Sequence, residues 1–111
     1  MSYYSYLEEL FKEMQSKKNL EPHKSYTAYL SGLSSEAVSK KFMEEAFELS
    51  IANIEMVDGK GKAELIGEAS DVIYHLMALL ISKNLDFKDV VEELEKRGGI
   101  KKLDAINFKK N

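Results

Sequence analysis

Two pairs of acidic side chains at helical spacing are the residues of this sequence best suited to chemistry. Glu45 and Glu48 are three positions apart, as are Glu68 and Asp71. Residues at this spacing share one face of an α-helix, because each residue turns the helix by about 100°. Four carboxylates offer only oxygen ligands, which suit Mg²⁺ and, as a substitute, Mn²⁺. Because Mg²⁺ also binds substrate phosphate oxygens, phosphoryl or nucleotidyl chemistry is favoured.

Apolar residues border both acidic pairs. Beside the first pair they are Val38, Phe42 and Leu49 on one side and Met43, Phe47, Ile51 and Ile54 on the other. Beside the second pair they are Leu65, Val72 and Leu79 on one edge and Tyr74, Met77 and Ile81 on the other. Burying several ionised carboxylates together is costly unless they take up protons or a cation neutralises them. These flanks therefore favour a bound divalent cation.

A solvated helix face is the alternative interpretation of each pair. Acidic residues at this spacing usually lie beside lysines and face water. Here two pairs occur in largely apolar helices, and the segment Asp58-Gly59-Lys60-Gly61 between them predicts a turn that sets the helices antiparallel. The joint occurrence makes a shared metal site the better interpretation.

Three further side chains adjoin the acidic pairs. Lys41 and Glu44 lie beside Glu45 on the same helix, and His75 follows Asp71 by one turn. Lys41 is equally suited to an ion pair with a neighbouring glutamate and to contact with a phosphate. His75 is equally suited to a bond with a core neighbour and to contact with a metal or substrate. Glu44 or Glu45 is the candidate general base, since spacing does not distinguish a base from a metal ligand.

The acidic pairs fall on the third and fourth of five predicted helices. Apolar residues recur at helical spacing over about residues 3–18, which predicts the first helix. Pro22 predicts a turn, and Ser25 is suited to cap a short second helix. Ser34 or Ser35 is suited to cap the third helix.

The remaining helix ends are also marked in the sequence. The third helix is predicted to run to about Val57, and the fourth to cover about residues 62–83. Asp86 is placed to cap a fifth, shorter helix, which stops at Gly98-Gly99. A helical hairpin would therefore bring the third and fourth helices together.

Length and composition predict a single all-α domain. The chain has 111 residues, of which 44% are hydrophobic and 32% charged, and it contains one proline. This length supports one compact core. We expect one helical domain over residues 1–111, with a core at about 5–97 and a basic C-terminal tail over 98–111.

Charge and cysteine content bear on partners and location. The formal net charge of −3 favours neither nucleic acid nor an anionic membrane as a partner. The longest apolar stretch, residues 72–81, is shorter than the roughly 18 residues of a spanning helix, so we expect no membrane segment. The chain has no cysteine, and its first residues lack the pattern of a signal peptide. We therefore expect a cytoplasmic protein.

Several segments carry more specific patterns. They are Leu7-Glu8-Glu9-Leu10-Phe11, Ser25-Tyr26-Thr27-Ala28, Lys41-Phe42-Met43-Glu44-Glu45-Ala46-Phe47-Glu48 and Glu68-Ala69-Ser70-Asp71-Val72-Ile73-Tyr74-His75-Leu76. Together they resemble the phosphoribosyl-ATP pyrophosphohydrolase family, a branch of the MazG-type all-α pyrophosphohydrolases. The resemblance spans roughly residues 7–97.

The resemblance implies a function and a set of site residues. The implied reaction is Mg²⁺-dependent hydrolysis of the α–β phosphoanhydride of 1-(5-phosphoribosyl)-ATP to phosphoribosyl-AMP and pyrophosphate, the second step of histidine biosynthesis. The implied metal ligands are Glu45, Glu48, Glu68 and Asp71. The expected catalytic residues are Glu44, Glu45 and Lys41, and the expected substrate contacts are Lys41, His75 and Ser25. The implied fold is a MazG-like bundle of four to five helices completed by dimerisation.

Two other functions stay open on the sequence alone. A house-cleaning pyrophosphatase of the same superfamily would use the same metal site on non-canonical nucleoside triphosphates. A non-catalytic helical interaction module would pair its acidic stripe with a basic partner or with solvent. The motifs around Ser25 and His75 argue against the first, and the apolar flanks argue against the second.

Overall fold

The computed structural model describes residues 2–98, which form five α-helices and a short 3₁₀ helix. They are α1 (Tyr3–Lys17), the 3₁₀ helix (Pro22–Lys24), α2 (Tyr26–Ser31), α3 (Ser35–Glu55), α4 (Lys62–Ser82) and α5 (Phe87–Lys96). No β-strand occurs within residues 2–98. The predicted all-α fold is confirmed. The predicted basic tail lies, from residue 99 onward, outside the described residues.

Side-chain caps fix where several helices begin. The Ser25 hydroxyl accepts a hydrogen bond from the backbone N–H of Ala28 at 3.3 Å, and starts α2. Ser34, rather than Ser35, caps α3 in the same way. Asp86 caps α5. Each cap satisfies a backbone donor that the first helical turn leaves without a partner.

A tight turn reverses the chain between α3 and α4. Gly59 and Gly61 adopt positive φ angles of 80° and 85°, and Asp58 also has a positive φ, of 53°. Glycine adopts this left-handed backbone region without the steric cost that a Cβ brings. A backbone bond from Lys60 N–H to the Val57 carbonyl closes the turn at 3.0 Å. The two long helices therefore pack antiparallel, and they share the most extensive helix interface of residues 2–98.

The core lies at one end of this hairpin. Its buried members come from α1, α2, the start of α3 and the second half of α4, and they are Phe11, Met14, Leu30, Val38, Met77, Ala78, Leu80 and Ile81. The most enclosed of these apolar side chains are Leu30, Met77 and Ala78. Helices α1 and α2 thus cover the C-terminal half of α4, and the N-terminal half of α4 is left to face α3.

Helix α4 is long and apolar enough to cross a membrane by length and composition alone, with 21 residues and a mean hydropathy of 1.4. Its second half is buried in the core, as the enclosed Met77 and Ile81 show. Its first half carries three acidic residues, Glu64, Glu68 and Asp71. A single helix of this kind is weak evidence for a membrane span, since a core helix of a bundle has the same length and composition.

An apolar face of the hairpin is exposed within one chain. The exposed side chains include Met43 (71%), Phe47 (66%), Ile54 (72%), Ile66 (57%) and Ile73 (41%). The predicted flanks of the second acidic pair, on α4, are buried or partly buried, but the predicted flank of Met43, Phe47, Ile51 and Ile54 beside the first pair is exposed, because no other described element covers it. Exposed apolar patches on a folded chain are typical of interaction sites.

Candidate metal centre

Three carboxylates converge where α3 and α4 face each other. Glu45, Glu48 and Glu68 each offer one oxygen, and these oxygens all lie within 4.8 Å of one another. The cluster forms because the glycine turn sets the helices antiparallel and the three-residue spacing aims each pair at the other helix. Glu45 and Glu68 are partly buried, and Glu48 is exposed.

Asp71, the fourth predicted ligand, lies at the edge of this cluster. It is exposed and does not belong to the group of mutually close oxygens. It lines the same cleft as Glu48 and Glu68, and its charge acts on Glu68. The structure therefore brings three of the four predicted ligands together and places the fourth beside them.

Glu68 has the least favourable surroundings for a charge. Its Oε2 atom is buried and has no hydrogen-bond partner. Burial raises the pKa of the Glu68 carboxyl above its usual value, and the neighbouring Glu48 and Asp71 carboxylates raise it further. A buried carboxylate oxygen without a partner costs free energy unless a cation or a proton satisfies it.

An open cleft of about 550 Å³ lies beside the cluster. It is lined by Phe47, Glu48, Ile51, Ala52, Glu55, Glu64, Gly67, Glu68 and Asp71. This volume lies in the range of small-molecule sites. Glu55 and Glu64 were absent from the predicted site, although Glu55 follows Glu48 by two helical turns and Glu64 precedes Glu68 by one.

The donor chemistry of the cluster fits a hard divalent cation. All its ligands are carboxylate oxygens, and their mutual repulsion is relieved by positive charge between them. The unpartnered Glu68 Oε2 supplies an atom that such an ion would satisfy. The cluster is therefore compatible with a metal of the Mg²⁺ or Mn²⁺ type.

Lys41 and Glu44 form an ion pair next to the cluster. The Lys41 ammonium lies 3.8 Å from Glu44 Oε2, and their side chains are 39% and 49% exposed. Of the two sequence interpretations of Lys41, the structure shows the pair with a glutamate. An exposed pair of this kind contributes at most about 1 kcal/mol to stability.

His75 is buried, and both of its ring nitrogens have partners. Nδ1 lies 2.7 Å from the backbone carbonyl of Asp71, and Nε2 lies 2.9 Å from the Tyr26 hydroxyl. Nε2 is also 3.9 Å from Glu45 Oε1. His75 therefore links α4 to α2, and its Nε2 lies near both the Tyr26 hydroxyl and the Glu45 carboxylate.

The residues around this link tie α2 to α4. The Thr27 hydroxyl and the Tyr74 hydroxyl are 2.7 Å apart, and the Tyr26 ring is stacked on Tyr74 with ring centroids 6.0 Å apart. Ser25 caps the start of α2, and its hydroxyl oxygen accepts a hydrogen bond from the backbone N–H of Ala28. Partial burial raises the pKa of the Tyr26 phenol, Lys41 opposes that rise and Glu45 adds to it.

The fold and the site define a class of all-α helical bundles in which a carboxylate cluster on one hairpin, compatible with a divalent cation, lies beside a cleft of small-molecule size. Within that class, the sequence profile of the family described as phosphoribosyl-ATP pyrophosphohydrolase matches residues 7–98. The chain belongs to this family. The family resemblance predicted from the motifs is thus confirmed.

Individual relatives agree with the family match. The chain is 44% identical over 91 residues to the phosphoribosyl-ATP pyrophosphatase of Roseobacter denitrificans, which covers 82% of this chain and 83% of that protein. It is 36% identical over 104 residues to the protein of the same name from Dechloromonas aromatica, covering 94% and 93% of the two chains. It also resembles the histidine biosynthesis bifunctional protein HisIE of Caldanaerobacter subterraneus, 38% identical over 82% of this chain but only 42% of that longer protein.

Proposed function

We propose that this chain is a hydrolase that cleaves the α–β phosphoanhydride of 1-(5-phosphoribosyl)-ATP and releases phosphoribosyl-AMP and pyrophosphate. This reaction is the second step of L-histidine biosynthesis. The observation that supports the proposal most strongly is that a member of this family carries converging carboxylates at Glu45, Glu48 and Glu68 beside an open cleft. A triphosphate can approach such an acidic cluster only with a cation between the two.

The metal in this proposal is Mg²⁺, with Mn²⁺ as a substitute, held by Glu45, Glu48, Glu68 and Asp71. When bound, the ion neutralises charge on the triphosphate and lowers the pKa of an attacking water. Glu68 supports this assignment, because its buried Oε2 has no partner in the protein. Asp71 lines the same cleft as Glu68.

Lys41 and Glu44 act together in this scheme. A substrate phosphate attracts the Lys41 ammonium, which in the free protein lies 3.8 Å from Glu44. Once Lys41 has turned to the phosphate, the Glu44 carboxylate is free to accept a proton from the attacking water. Glu44 is the better candidate base and Glu45 the better ligand, since only Glu45 belongs to the close group of oxygens.

Ser25 and His75 complete the proposed substrate side of the site. The Ser25 hydroxyl accepts a bond from Ala28, so its own proton remains available to a phosphate oxygen. His75 has partners on both nitrogens, so it acts on a substrate through Tyr26, which it holds beside Glu45. Both assignments agree with the family motifs that contain these residues.

We propose that two copies of the chain associate through the exposed apolar face of the α3–α4 hairpin. Met43, Phe47 and Ile54 are each more than 60% exposed in one chain. A second copy would remove this surface from water and would enclose the cleft from the side that a single chain leaves open. The partner expected from the sequence, a homodimer, fits this face.

A cytoplasmic location accords with the proposed reaction. Its substrate is a soluble nucleotide derived from ATP, and its product is consumed by a later step of amino-acid synthesis. Neither a nucleic acid nor a membrane has a role in the reaction.

Pyrophosphate release from a panel of nucleotides tests this function. Purified protein is incubated with phosphoribosyl-ATP, ATP, dUTP and dITP, each with Mg²⁺ or with EDTA. We expect pyrophosphate from phosphoribosyl-ATP with Mg²⁺ and none with EDTA. A preference for a simple nucleoside triphosphate would instead identify a house-cleaning pyrophosphatase, and no turnover of any nucleotide would favour an interaction module.

A further inference from the structure

A second groove lies where the end of α4 meets α5. It has a volume of about 350 Å³, and its lining includes Leu80, Leu85, Val90 and Leu94. Leu80 follows Glu68 by about 18 Å along α4, at about 1.5 Å per residue, so this groove is separate from the cleft beside the carboxylate cluster. Its four aliphatic side chains suit an apolar occupant.

Helix α5 is only partly covered by the other helices of residues 2–98. It packs on α1 through Phe87, whose ring centroid lies 6.0 Å from that of Phe11. On the groove side, Leu85 and Leu94 are 50% and 48% exposed. Because the apolar face of an amphipathic helix normally packs on another surface, the groove side of α5 has room for a further packing partner.

Acidic side chains also line this groove. They are Asp86, Asp89 and Glu93, and the one basic residue of the lining is Arg97, which lies 3.5 Å from Glu93. The acidic residues therefore outnumber the basic one. An occupant that combines apolar and positively charged side chains would complement the groove in both respects.

The chain itself continues from one end of this groove. Arg97 belongs to the lining, and it is followed by Gly98, which has a positive φ of 85°. The Gly98 N–H donates a hydrogen bond to the Glu95 carbonyl at 3.0 Å, which closes the end of α5. A glycine in this conformation ends a helix and turns the chain away from the helical path. Residues 99–111 therefore start beside the groove.

The composition and length of residues 99–111 match the groove. The segment contains four lysines and one aspartate, and its apolar residues are Ile100, Leu103, Ala105, Ile106 and Phe108. Its 13 residues can span up to about 43 Å, at about 3.3 Å each, whereas the 10 residues of α5 span about 15 Å. The segment can thus return along the whole of α5, and its net charge is opposite to that of the groove.

We propose that residues 99–111 fold back along α5 and dock in this groove. Their apolar side chains would cover Leu85 and Leu94, and their lysines would lie near Asp89 and Glu93. A tethered segment has an effective concentration in the millimolar range. A separate chain would instead need to bury about 800 Å² of its own surface to bind stably. The small groove therefore favours the segment of the same chain. This docking does not depend on the proposed function.

A single tryptophan tests the docking, because the chain has none of its own. Phe108→Trp, made in the chain of 111 residues, should give fluorescence emission at shorter wavelength than in denaturant, at any protein concentration. Adding Leu94→Lys, which puts a charge in the groove, should move the emission to longer wavelength. Leu20→Lys is the matched control, because Leu20 is 46% exposed and lies in the turn after α1. It should leave the emission unchanged.

Melting temperatures test the same contact in the protein without tryptophan. The double change Leu103→Ser and Ile106→Ser alters no residue of the described helices, and it should lower the melting temperature by about 4–8 °C. Leu94→Lys should cost about as much, and combining it with the two serines should cost little more, because either change alone undocks the segment. The effect of Leu20→Lys should instead add to that of the serines.

Four results would overturn the proposal. Emission equal to that of the denatured protein would show that the segment does not dock. Short-wavelength emission that Leu94→Lys leaves unchanged would show that it packs elsewhere. An emission shift that appears only as the protein concentration rises would place the segment of a second copy in the groove. A melting temperature that the serine changes leave unaltered would show that the segment contributes no packing.

Discussion

Glu48 on α3 and Glu68 on α4 face each other across the helical hairpin, with carboxylate oxygens within 4.8 Å. Two like charges at this distance repel, and the burial of Glu68 strengthens the repulsion. Without a cation this pair works against folding, and with a cation it becomes a binding site.

The metal-free protein should lose stability as the pH rises. The pKa of Glu68 is raised above its ordinary value near 4.5, so the folded state holds a proton that the unfolded chain releases. The stability that this bound proton contributes is fully present below the pKa of Glu68 in the unfolded chain. It is lost as the pH rises through the pKa of Glu68 in the folded state. Melting temperatures measured in EDTA from pH 4.5 upward should show this fall, and Glu68→Gln should reduce it. An equal slope in the two proteins would contradict the assignment.

Divalent cations should stabilise the protein at neutral pH. An ion that binds the folded state alone adds about 2.7 kcal/mol of stability at 100 times its dissociation constant. Titration with Mn²⁺ should therefore raise the melting temperature of the wild type. The melting temperature of Glu48→Gln should rise much less. Glu36→Gln, at an exposed acidic residue in the first turn of the same helix, is the control that should respond like the wild type. An unchanged response of Glu48→Gln would show that the ion binds elsewhere.

Lys41→Met should weaken substrate binding. The variant removes the ammonium that is proposed to move from Glu44 to a substrate phosphate. We expect KM for phosphoribosyl-ATP to rise by about tenfold, the loss of one charge-assisted hydrogen bond. Lys40→Met removes the neighbouring, exposed lysine and should leave KM within about twofold of the wild type. Equal effects of the two changes would indicate general electrostatic attraction instead of a specific contact.

Charge placed on the apolar face of the hairpin should separate the proposed dimer. Phe47→Glu puts a carboxylate at a side chain that is 66% exposed in one chain, so the fold of that chain has room for it. Sedimentation should show a dimer for the wild type and a monomer for this variant. Tyr3→Glu, at a residue of α1 that is 94% exposed, is the control that should remain dimeric. A monomeric wild type would contradict the proposed association.

The helices could be predicted because their signals are local. Ser25 and Asp86 cap helices as the sequence indicates, and the glycines around Lys60 make the expected turn. The convergence of Glu45, Glu48 and Glu68 followed from the same information, since helical spacing and an antiparallel turn are enough to aim the side chains at one point.

Other features of the site depend on packing that no local pattern encodes. The bond between Tyr26 and His75 joins residues 49 positions apart and exists because α2 packs on α4. The exposure of Phe47 and Met43 could not be predicted from their helical positions, because what covers an apolar side chain is decided by tertiary and quaternary packing. Glu55 and Glu64, which also line the cleft, were not predicted, because they lie beyond the family motif and only their helical spacing from Glu48 and Glu68 pointed to them.

The rate of pyrophosphate release from phosphoribosyl-ATP by Glu45→Gln, measured beside the wild type and Glu36→Gln at saturating Mg²⁺, tests most directly whether the carboxylate cluster is the hydrolytic centre. Glutamine preserves the size of the Glu45 side chain and removes its charge, while Glu36 lies on the same helix outside the cluster. The predicted result is a loss of at least about 100-fold for Glu45→Gln and a rate within about twofold of the wild type for Glu36→Gln. A Glu45→Gln enzyme that releases pyrophosphate at the wild-type rate would contradict the assignment of this cluster as the catalytic metal site.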